Sequence, residues 1–194
     1  MNERLSAPET PISAPSQGVE TPQVSAVLDA LCATVENYPS EGIVFKDLTP
    51  VFADGAAFKL MVDSIVSAYA GKFDAVAGIE ARGFLLAAAA AYATGTGVIT
   101  IRKAGKLPRE VFAESYALEY GEATLELHKE DVPVGTRVLV LDDVLATGGT
   151  IGAAAALLER SGAVVAGVGV VLEIGALPGR ENLAGYNVVS LQVV

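Results

Sequence analysis

Two adjacent carboxylates and a loop of glycine and threonine follow one apolar run of the chain. Val138–Leu141 contains four apolar residues without a polar break, which is typical of a short strand buried on both faces of a parallel sheet. Asp142 and Asp143 come next, and Ala146–Thr150 then leads into a helical pattern over Ile151–Arg160. Carboxylates accept hydrogen bonds from hydroxyls or place a hydrated metal ion, whereas Gly and Thr at a helix N-terminus bind phosphate through backbone N–H groups. The stretch therefore predicts a site for a phosphate and a diol together, as in a ribose 5-phosphate.

Two further polar segments follow predicted buried strands. Glu80–Gly83 comes after the strand predicted over Asp74–Ile79, at the position where α/β sheets bind ligands. The strand predicted over Val98–Ile101 leads into Arg102–Arg109, which holds four of the 13 basic residues of the chain in eight positions. Because an arginine can clamp a diphosphate with two hydrogen bonds, these segments predict a second anion site.

Composition and length exclude several classes of protein. A chain of 194 residues, 52% hydrophobic and 19% charged, is long enough for one domain with a full core. Its net charge of −10 argues against a nucleic-acid or anionic membrane surface, and its single cysteine, Cys32, excludes an internal disulfide. Residues 1–21 are rich in Pro and Ser and are expected to be a disordered tail. With neither a signal peptide nor an apolar run of about 20 residues, we expect a cytoplasmic protein.

Strands and helices alternate along residues 22–194, which predicts one α/β domain with a mostly parallel twisted sheet flanked by helices. A first helix is expected from Pro22, capped by Thr21, with Val35 on its apolar face and its end at Pro39. A second helix is expected to open at Asp54. The last elements expected are strands over Ala163–Leu172 and Tyr186–Val193 and a short helix over Gly179–Leu183.

The segment Glu110–Tyr120 is expected to be a long loop, and such a loop is a candidate lid over a site. Ala123–Glu130 then alternates as a half-exposed strand. His128, the only histidine, falls on the polar side of that pattern. We therefore expect His128 to be solvated and give it no catalytic role.

The string DDVLATGGT resembles the ribose-phosphate motif of the type I phosphoribosyltransferases. The resemblance implies that Asp142 and Asp143 bind the ribose hydroxyls. It also implies that the 5′-phosphate is held by Ala146, Thr147, Gly148, Gly149 and Thr150. EARGF resembles the pyrophosphate loop of the same family, which implies diphosphate contacts at Glu80, Ala81 and Arg82 and a cis bond between Glu80 and Ala81.

Three other segments resemble the adenine-specific members of that family. Glu41–Asp47 is similar to a hood segment in which an aromatic ring stacks on the purine, which implies stacking by Phe45 and backbone recognition by Val44 and Lys46. Lys46 replaces a frequent Arg, a small change if the contact is through the backbone. RKAGKLPRE implies that Arg102, Lys103 and Lys106 hold diphosphate. SYALEYG implies that Glu119 handles the purine proton and that Tyr120 closes over the site.

These resemblances imply a type I phosphoribosyltransferase-like fold with a small N-terminal hood over about residues 22–52. The implied reaction joins adenine to 5-phosphoribosyl 1-diphosphate (PRPP), giving AMP and diphosphate in purine salvage. Glu119 and Arg82 are the implied catalytic residues, and Mg²⁺ would be held mainly through PRPP and water without a direct protein ligand. The family also implies a homodimer. From the acidic charge and the lack of a long apolar run, we expect it to bind neither nucleic acid nor membrane.

Two other functions stay open from the sequence. One is the same transfer to another base, such as hypoxanthine, xanthine or orotate. The other is a PRPP-sensing regulator that keeps the pocket without catalysis, although such proteins normally add a DNA-binding domain and the acidic charge argues against one.

Overall fold

The computed structural model describes residues 22–38, 40–42, 44–117 and 121–194. The tail expected over residues 1–21, the helix end expected at Pro39, and the roles expected of Glu119 and Tyr120 lie outside the described residues. The helices are α1 Pro22–Leu31, α2 Thr49–Ala53, α3 Gly55–Ala68, α4 Gly83–Thr94, α5 Gly149–Arg160 and α6 Gly179–Asn182. The strands are β1 Ala33–Glu36, β2 Val44–Asp47, β3 Ala75–Ile79, β4 Gly97–Lys103, β5 Val111–Ala117, β6 Glu122–His128, β7 Arg137–Leu145, β8 Val164–Glu173 and β9 Val188–Val193.

Within the described residues, seven strands form the main sheet in the order β5-β6-β4-β3-β7-β8-β9. The strands from β4 to β9 in this order pair in parallel, and β6 pairs antiparallel with both β4 and β5. Side chains of α1–α4 form one apolar core against one face of the sheet, and α5 packs against the other face. The predicted α/β class with a mostly parallel sheet is therefore confirmed. None of the helices in the described part of the chain has the length and apolarity of a membrane span.

Most of the predicted elements are confirmed to within a few residues. All five residues of β3 are buried, as a strand covered on both faces requires. Helix α3 begins after Asp54, whose carboxylate accepts hydrogen bonds from the N–H groups of Ala56 and Ala57 at 3.0 and 2.9 Å. The acidic pair was expected after a short strand, but β7 continues through both carboxylates to Leu145.

The N-terminal hood begins with a shorter helix than predicted. Helix α1 ends at Leu31, and β1 follows at once and pairs antiparallel with β2, with Val35 opposite Phe45. The prediction that Val35 lies on the buried face of this helix is wrong, since Val35 belongs to β1 and is 41% exposed. Its helical spacing from Leu31 coincides with a β-branched stretch, Thr34-Val35, that favours a strand once a partner strand is present.

The prediction of a loop over Glu110–Tyr120 is wrong for most of this segment. Val111–Ala117 forms β5, which pairs with β6 from Val111 opposite His128 to Ala117 opposite Glu122. Phe112 and Tyr116 lie on the inner face of this strand and pack against the core under α5. Because only two large apolar residues mark the inner face, the alternation with a period of two is weak in the sequence.

The prediction that His128 is solvated is also wrong, since only 7% of the residue is exposed. Its Nδ1 atom lies 2.9 Å from Nη2 of Arg109 and 2.9 Å from Oδ2 of Asp131. Arg109 and Asp131 also pair with each other, and hydrogen bonding to Arg109 is the main cause that lowers the pKa of the Asp131 carboxyl. These two charged side chains cover the polar side of β6, so alternation along the strand did not mean exposure to water.

Candidate active site

Three polar segments meet at one edge of the sheet because the strands that precede them are neighbours. In the sheet β3 lies between β4 and β7, and all three run parallel. Their carboxyl ends therefore lie side by side. This brings together three segments that are far apart in the sequence, namely Glu80–Gly83, Arg102–Lys106 and Asp142–Thr150.

The acidic pair has two unequal environments. Asp143 Oδ2 accepts a hydrogen bond from Nη1 of Arg82 at 3.0 Å, and the two groups form an ion pair. Asp142 Oδ1 accepts a hydrogen bond from the backbone N–H of Asp143 at 2.9 Å. Burial, followed by the charge of the adjacent Asp143, raises the pKa of the Asp142 carboxyl well above its ordinary value.

Close backbone packing fixes the segment after β3 against the end of β7. A Cβ atom at Gly83 would lie 2.6 Å from the carbonyl oxygen of Leu141 and 3.2 Å from Oδ1 of Asp142. Only glycine allows this approach. The peptide bond between Glu80 and Ala81 is cis, as the resemblance implied.

The basic segment is already paired with a carboxylate of the neighbouring loop. Glu80 accepts hydrogen bonds from Lys106 Nζ at 2.7 Å and from the backbone N–H of Lys103 at 3.1 Å, and it lies 3.5 Å from Arg102 Nη2. Hydrogen bonding to Lys106 is the largest cause that lowers the pKa of Glu80 to about 2. Arg109, the fourth cation of this cluster, instead pairs with Asp131.

The loop after β7 has the geometry of an anion site at a helix N-terminus. Gly148 has a φ of 82°, and α5 begins at the next residue. No side chain caps this helix within the described part of the chain, which leaves N–H groups of its first turn for a ligand. A small cleft at this point is lined by residues of the loop and its flanks, including Asp142, Ala146, Thr147, Gly148, Gly149 and Thr150.

The hood carries the aromatic side chain of Phe45 on β2. Phe45 is half-buried, and its ring meets Tyr38 edge to face with centroids 5.2 Å apart and planes at 69°. Val44 is 57% exposed, and Lys46 Nζ donates a hydrogen bond to Thr34 Oγ1 at 3.0 Å.

A hood carboxylate that had no predicted role reaches the sheet edge. Asp47 Oδ1 lies 3.6 Å from Nη2 of Arg82, so one guanidinium lies between the hood and Asp143. The same carboxylate accepts hydrogen bonds from the backbone N–H and the hydroxyl of Thr49, the main causes that lower the pKa of Asp47. Asp47 ends a short strand with one aromatic, and the sequence gives no signal for its contact with Arg82.

The hairpin of β5 and β6 contacts the loop Ala146–Thr150, which we call the phosphate loop. A Cβ atom at Gly149 would lie 3.4 Å from the carbonyl oxygen of Ala117 and 3.4 Å from the ring of Tyr116. Arg160 at the end of α5 holds the same strand, donating hydrogen bonds to Ala113 O at 2.7 Å and Glu114 Oε2 at 2.8 Å. The strand that leads to the lid candidate therefore lies beside the anion site.

Known proteins of one family are similar to this chain in sequence. The sequence model of the family described as "Phosphoribosyl transferase domain" matches residues 54–192. The chain is 66% identical over 179 residues to the adenine phosphoribosyltransferase of Arthrobacter sp. (strain FB24), covering 92% of this chain and 97% of the relative. It is also 66% identical over 164 residues to that of Renibacterium salmoninarum, covering 84% and 90% of the two chains.

Solved structures of the same family share the fold. The adenine phosphoribosyltransferase of Thermoanaerobacter pseudethanolicus superposes with a TM-score of 0.84 at 42% identity, covering 88% of this chain and 99% of that one. The Saccharomyces cerevisiae enzyme gives a TM-score of 0.83 at 36% identity, with 88% and 99% covered. The chain therefore belongs to the phosphoribosyltransferase family, and within it to the adenine phosphoribosyltransferases.

Proposed function

We propose that the protein transfers the 5-phosphoribosyl group of PRPP to adenine, giving AMP and diphosphate in purine salvage. The observation that carries the proposal is the meeting of an acidic pair, a helix N-terminus and an arginine with neighbouring cations at one sheet edge. PRPP carries the three groups that such a site would bind, namely a diol, a phosphate monoester and a diphosphate. The Saccharomyces cerevisiae relative was solved with adenine and an imino-altritol bisphosphate, which is consistent with this assignment.

The sugar and its phosphate would be held by the segment after β7. Asp142 and Asp143 accept hydrogen bonds from the ribose hydroxyls, and their charge favours the positive sugar that forms as the bond to diphosphate breaks. The 5′-phosphate binds the backbone N–H groups of Ala146–Thr150. It acts as a handle remote from the reacting carbon, whose binding energy orients that carbon for attack.

The leaving diphosphate would be held by cations of two loops. Arg82 presents a planar guanidinium next to the acidic pair, and Arg102, Lys103 and Lys106 supply further positive charge. Ala81 and Glu80 form the turn that carries Arg82. Since Glu80 already accepts a hydrogen bond from Lys106 at 2.7 Å, diphosphate would share or displace this carboxylate when it binds.

The base would lie under the hood. Phe45 stacks on the purine, and the backbones of Val44 and Lys46 read its edge. Glu119 accepts the purine proton as the ring nitrogen attacks, and Tyr120 closes the site against water that would hydrolyse PRPP. Support for the last two roles comes from the position of Ala117 beside Gly149, two residues before Glu119 in the sequence.

Mg²⁺ fits the donors at the site. The carboxylates of Asp142 and Asp143 are hard oxygen donors, and Mg²⁺ typically keeps several waters and binds substrate phosphates rather than a protein cage. Within the described residues no cluster of three or more acidic, Cys or His side chains could hold a metal ion by itself. We therefore propose that Mg²⁺ is held mainly through PRPP and water next to this pair. When bound, it would neutralise negative charge that develops on the leaving group.

We also propose a homodimer, for which α4 offers an apolar surface. Leu85 is 52% exposed and Tyr92 is 93% exposed, and Ala88 lies between them on the same exposed face. This helix is apolar all round, which is typical of a helix covered on both sides. The cytoplasmic location, and the division into a tail (residues 1–21) and one domain (residues 22–194), stay predictions from the sequence.

The proposal is tested with a panel of bases. Purified protein is incubated with PRPP and Mg²⁺ and offered adenine, hypoxanthine, guanine or orotate, and the nucleotide formed is measured. AMP from adenine alone is the expected result. Turnover of another base would keep the ribose-phosphate site and overturn the role of the hood. PRPP binding without any turnover would favour a sensor, for which a DNA shift assay is the next measurement.

A further inference from the structure

Helix α6 lies directly beneath the phosphate loop, although no part of the predicted chemistry involves it. Asn182 Nδ2 donates a hydrogen bond to the carbonyl oxygen of Thr147 at 2.9 Å. A Cβ atom at Gly179 would lie 2.1 Å from the carbonyl oxygen of Ala146, so the backbones of helix and loop are in direct contact. Two consecutive carbonyl groups of the loop therefore point towards α6.

The direction of these carbonyls determines where the N–H groups of the loop point. In a trans peptide the C=O and the following N–H lie on opposite sides of the unit. With Ala146 O and Thr147 O turned towards α6, the N–H groups of Thr147 and Gly148 turn away from it. Two successive N–H groups that point the same way form a concave anion site, which the positive φ of 82° at Gly148 favours.

An ion pair between Arg180 and a buried carboxylate fixes α6 in place. Arg180 pairs with Glu173 through both carboxylate oxygens, and it donates a hydrogen bond to Ser190 Oγ at 2.9 Å. Glu173 is 6% exposed and Ser190 is fully buried. A guanidinium held by two hydrogen bonds to a buried carboxylate has little freedom, so α6 is a rigid support on β8 and β9.

We propose that Asn182 is a positioning residue for the 5′-phosphate, and that it acts by holding the Thr147 carbonyl so that the loop N–H groups face the ligand. This inference rests on the proposed function of the phosphate loop. It assigns part of the affinity for the 5′-phosphate to Asn182, a side chain outside that loop. Without the amide, the Thr147 carbonyl loses this hydrogen bond, and the peptide between Thr147 and Gly148 is less restrained. The loop then has to be ordered when the phosphate binds, which weakens binding.

The test measures the affinities of three ligands, each of which corresponds to one part of the reaction: the sugar phosphate, the diphosphate or the base. Ribose 5-phosphate, diphosphate with Mg²⁺, and adenine are titrated separately into the full chain by calorimetry. The variants are Asn182→Ala and Asn182→Leu, the second of similar shape without a donor. Glu181→Ala is the matched control, because Glu181 is an exposed neighbour on the same helix. We expect both Asn182 variants to bind ribose 5-phosphate roughly 5- to 10-fold more weakly, the loss of about one hydrogen bond.

Diphosphate and adenine affinities, and the melting temperature, should stay as in the unchanged protein. Unchanged ribose 5-phosphate binding in both variants would overturn the inference and leave the proposed function intact. Parallel loss of all three ligands together with a lower melting temperature would also overturn it, because that is a general structural effect. If the protein without substitutions binds diphosphate but not ribose 5-phosphate, the assignment of the loop as the phosphate site is refuted.

Discussion

Arg82 Nη1 donates a hydrogen bond to Asp143 Oδ2 across 3.0 Å, and this contact joins the loop after β3 to the end of β7. The other terminal nitrogen of the same guanidinium lies 3.6 Å from Asp47 in the hood. Arg82 thus links the three segments that are proposed to bind diphosphate, ribose and base. A phosphate that binds Arg82 must compete with these carboxylates or bridge to them.

Arg82→Met removes this charge while it keeps most of the side-chain length. We expect kcat for AMP formation to fall by about 10²- to 10³-fold, as for other fixed groups that stabilise developing charge. Steady-state kinetics at saturating PRPP and adenine measure it. Arg137→Met is the control, because Arg137 pairs with Asp74 at the opposite end of β7. Comparable losses of kcat in both variants would argue against a specific role of Arg82.

Asp142→Asn should stabilise the fold at neutral pH. The pKa of Asp142 in the folded protein lies above the ordinary 3.8, mainly because of burial. The folded protein therefore binds more protons than the unfolded chain between the two pKa values, and stability falls as pH rises through this window. Asn cannot ionise and keeps a side-chain oxygen that accepts the N–H of Asp143.

Melting temperatures across a pH series measure this effect. The gain for Asp142→Asn should disappear as pH falls to the ordinary carboxyl range. Asp143→Asn should give a smaller gain, because it relieves the repulsion on Asp142 but removes the charge that pairs with Arg82. A lower melting temperature of Asp142→Asn at neutral pH would show that burial of the charged Asp142 carboxylate does not destabilise the fold.

Glu80→Gln should show the opposite dependence on pH. The pKa of Glu80 is lowered from 4.5 to about 2, with the hydrogen bond from Lys106 as the largest cause. Its contribution to stability is therefore fully present above pH 4.5 and is lost as pH falls towards 2. The difference in melting temperature between the unchanged protein and this variant should shrink over that window. A constant difference would mean that the carboxylate charge is not involved.

Phe45→Ala should weaken adenine binding selectively. Stacking of a base on an aromatic ring contributes about 1–3 kcal/mol, so the KM for adenine should rise roughly 5- to 150-fold with the KM for PRPP unchanged. Phe52→Ala is the matched control, because Phe52 also forms an edge-to-face pair, with Phe58 at 5.8 Å. A similar rise in the adenine KM for both variants would count against stacking.

His128→Ala should affect stability and leave the chemistry intact. His128 is buried, and its Nδ1 faces Arg109 and Asp131, which remain paired with each other when the ring is removed. We expect the free energy of unfolding to fall by about 1–3 kcal/mol, from the lost hydrogen bond and packing. Urea unfolding measures the loss, and kcat of the folded variant should stay close to normal. A large fall in kcat at unchanged stability would contradict the absence of a catalytic role.

The elements that carry the site could be predicted because each has a strong local pattern. β3 and the Val138–Leu141 part of β7 are continuous apolar runs, and each is followed by polar residues that a sheet edge would expose. The order of strands in the sheet then brings these polar segments together without any further information from side chains. For that reason the positions of Arg82, Asp142 and Asp143 agree with the expectation.

The misses have a common physical origin in tertiary contacts. Val35 has the right spacing for the helix before it, but pairing with Phe45 in β2 gives it a strand conformation. His128 alternates as a solvent-facing residue would, but Arg109 covers it from 19 positions away. The contacts of Asp47 with Arg82 and of Asn182 with Thr147 likewise depend on folding over distance, and neither residue has a distinctive local pattern.

Because of the contact between Gly83 and Leu141, the transfer geometry and the choice of base could change independently during evolution. This contact joins backbone to backbone, so the main chain itself fixes the spacing between the proposed sugar and leaving-group subsites. The two short strands of the hood form a separate small sheet, and Asp47 at the end of β2 contacts Arg82. If the hood binds the base as proposed, substitutions there would change the accepted base while the transfer geometry stays constant. Such an arrangement would let one scaffold diversify into enzymes of different nucleobase preference by changes confined to a short N-terminal segment.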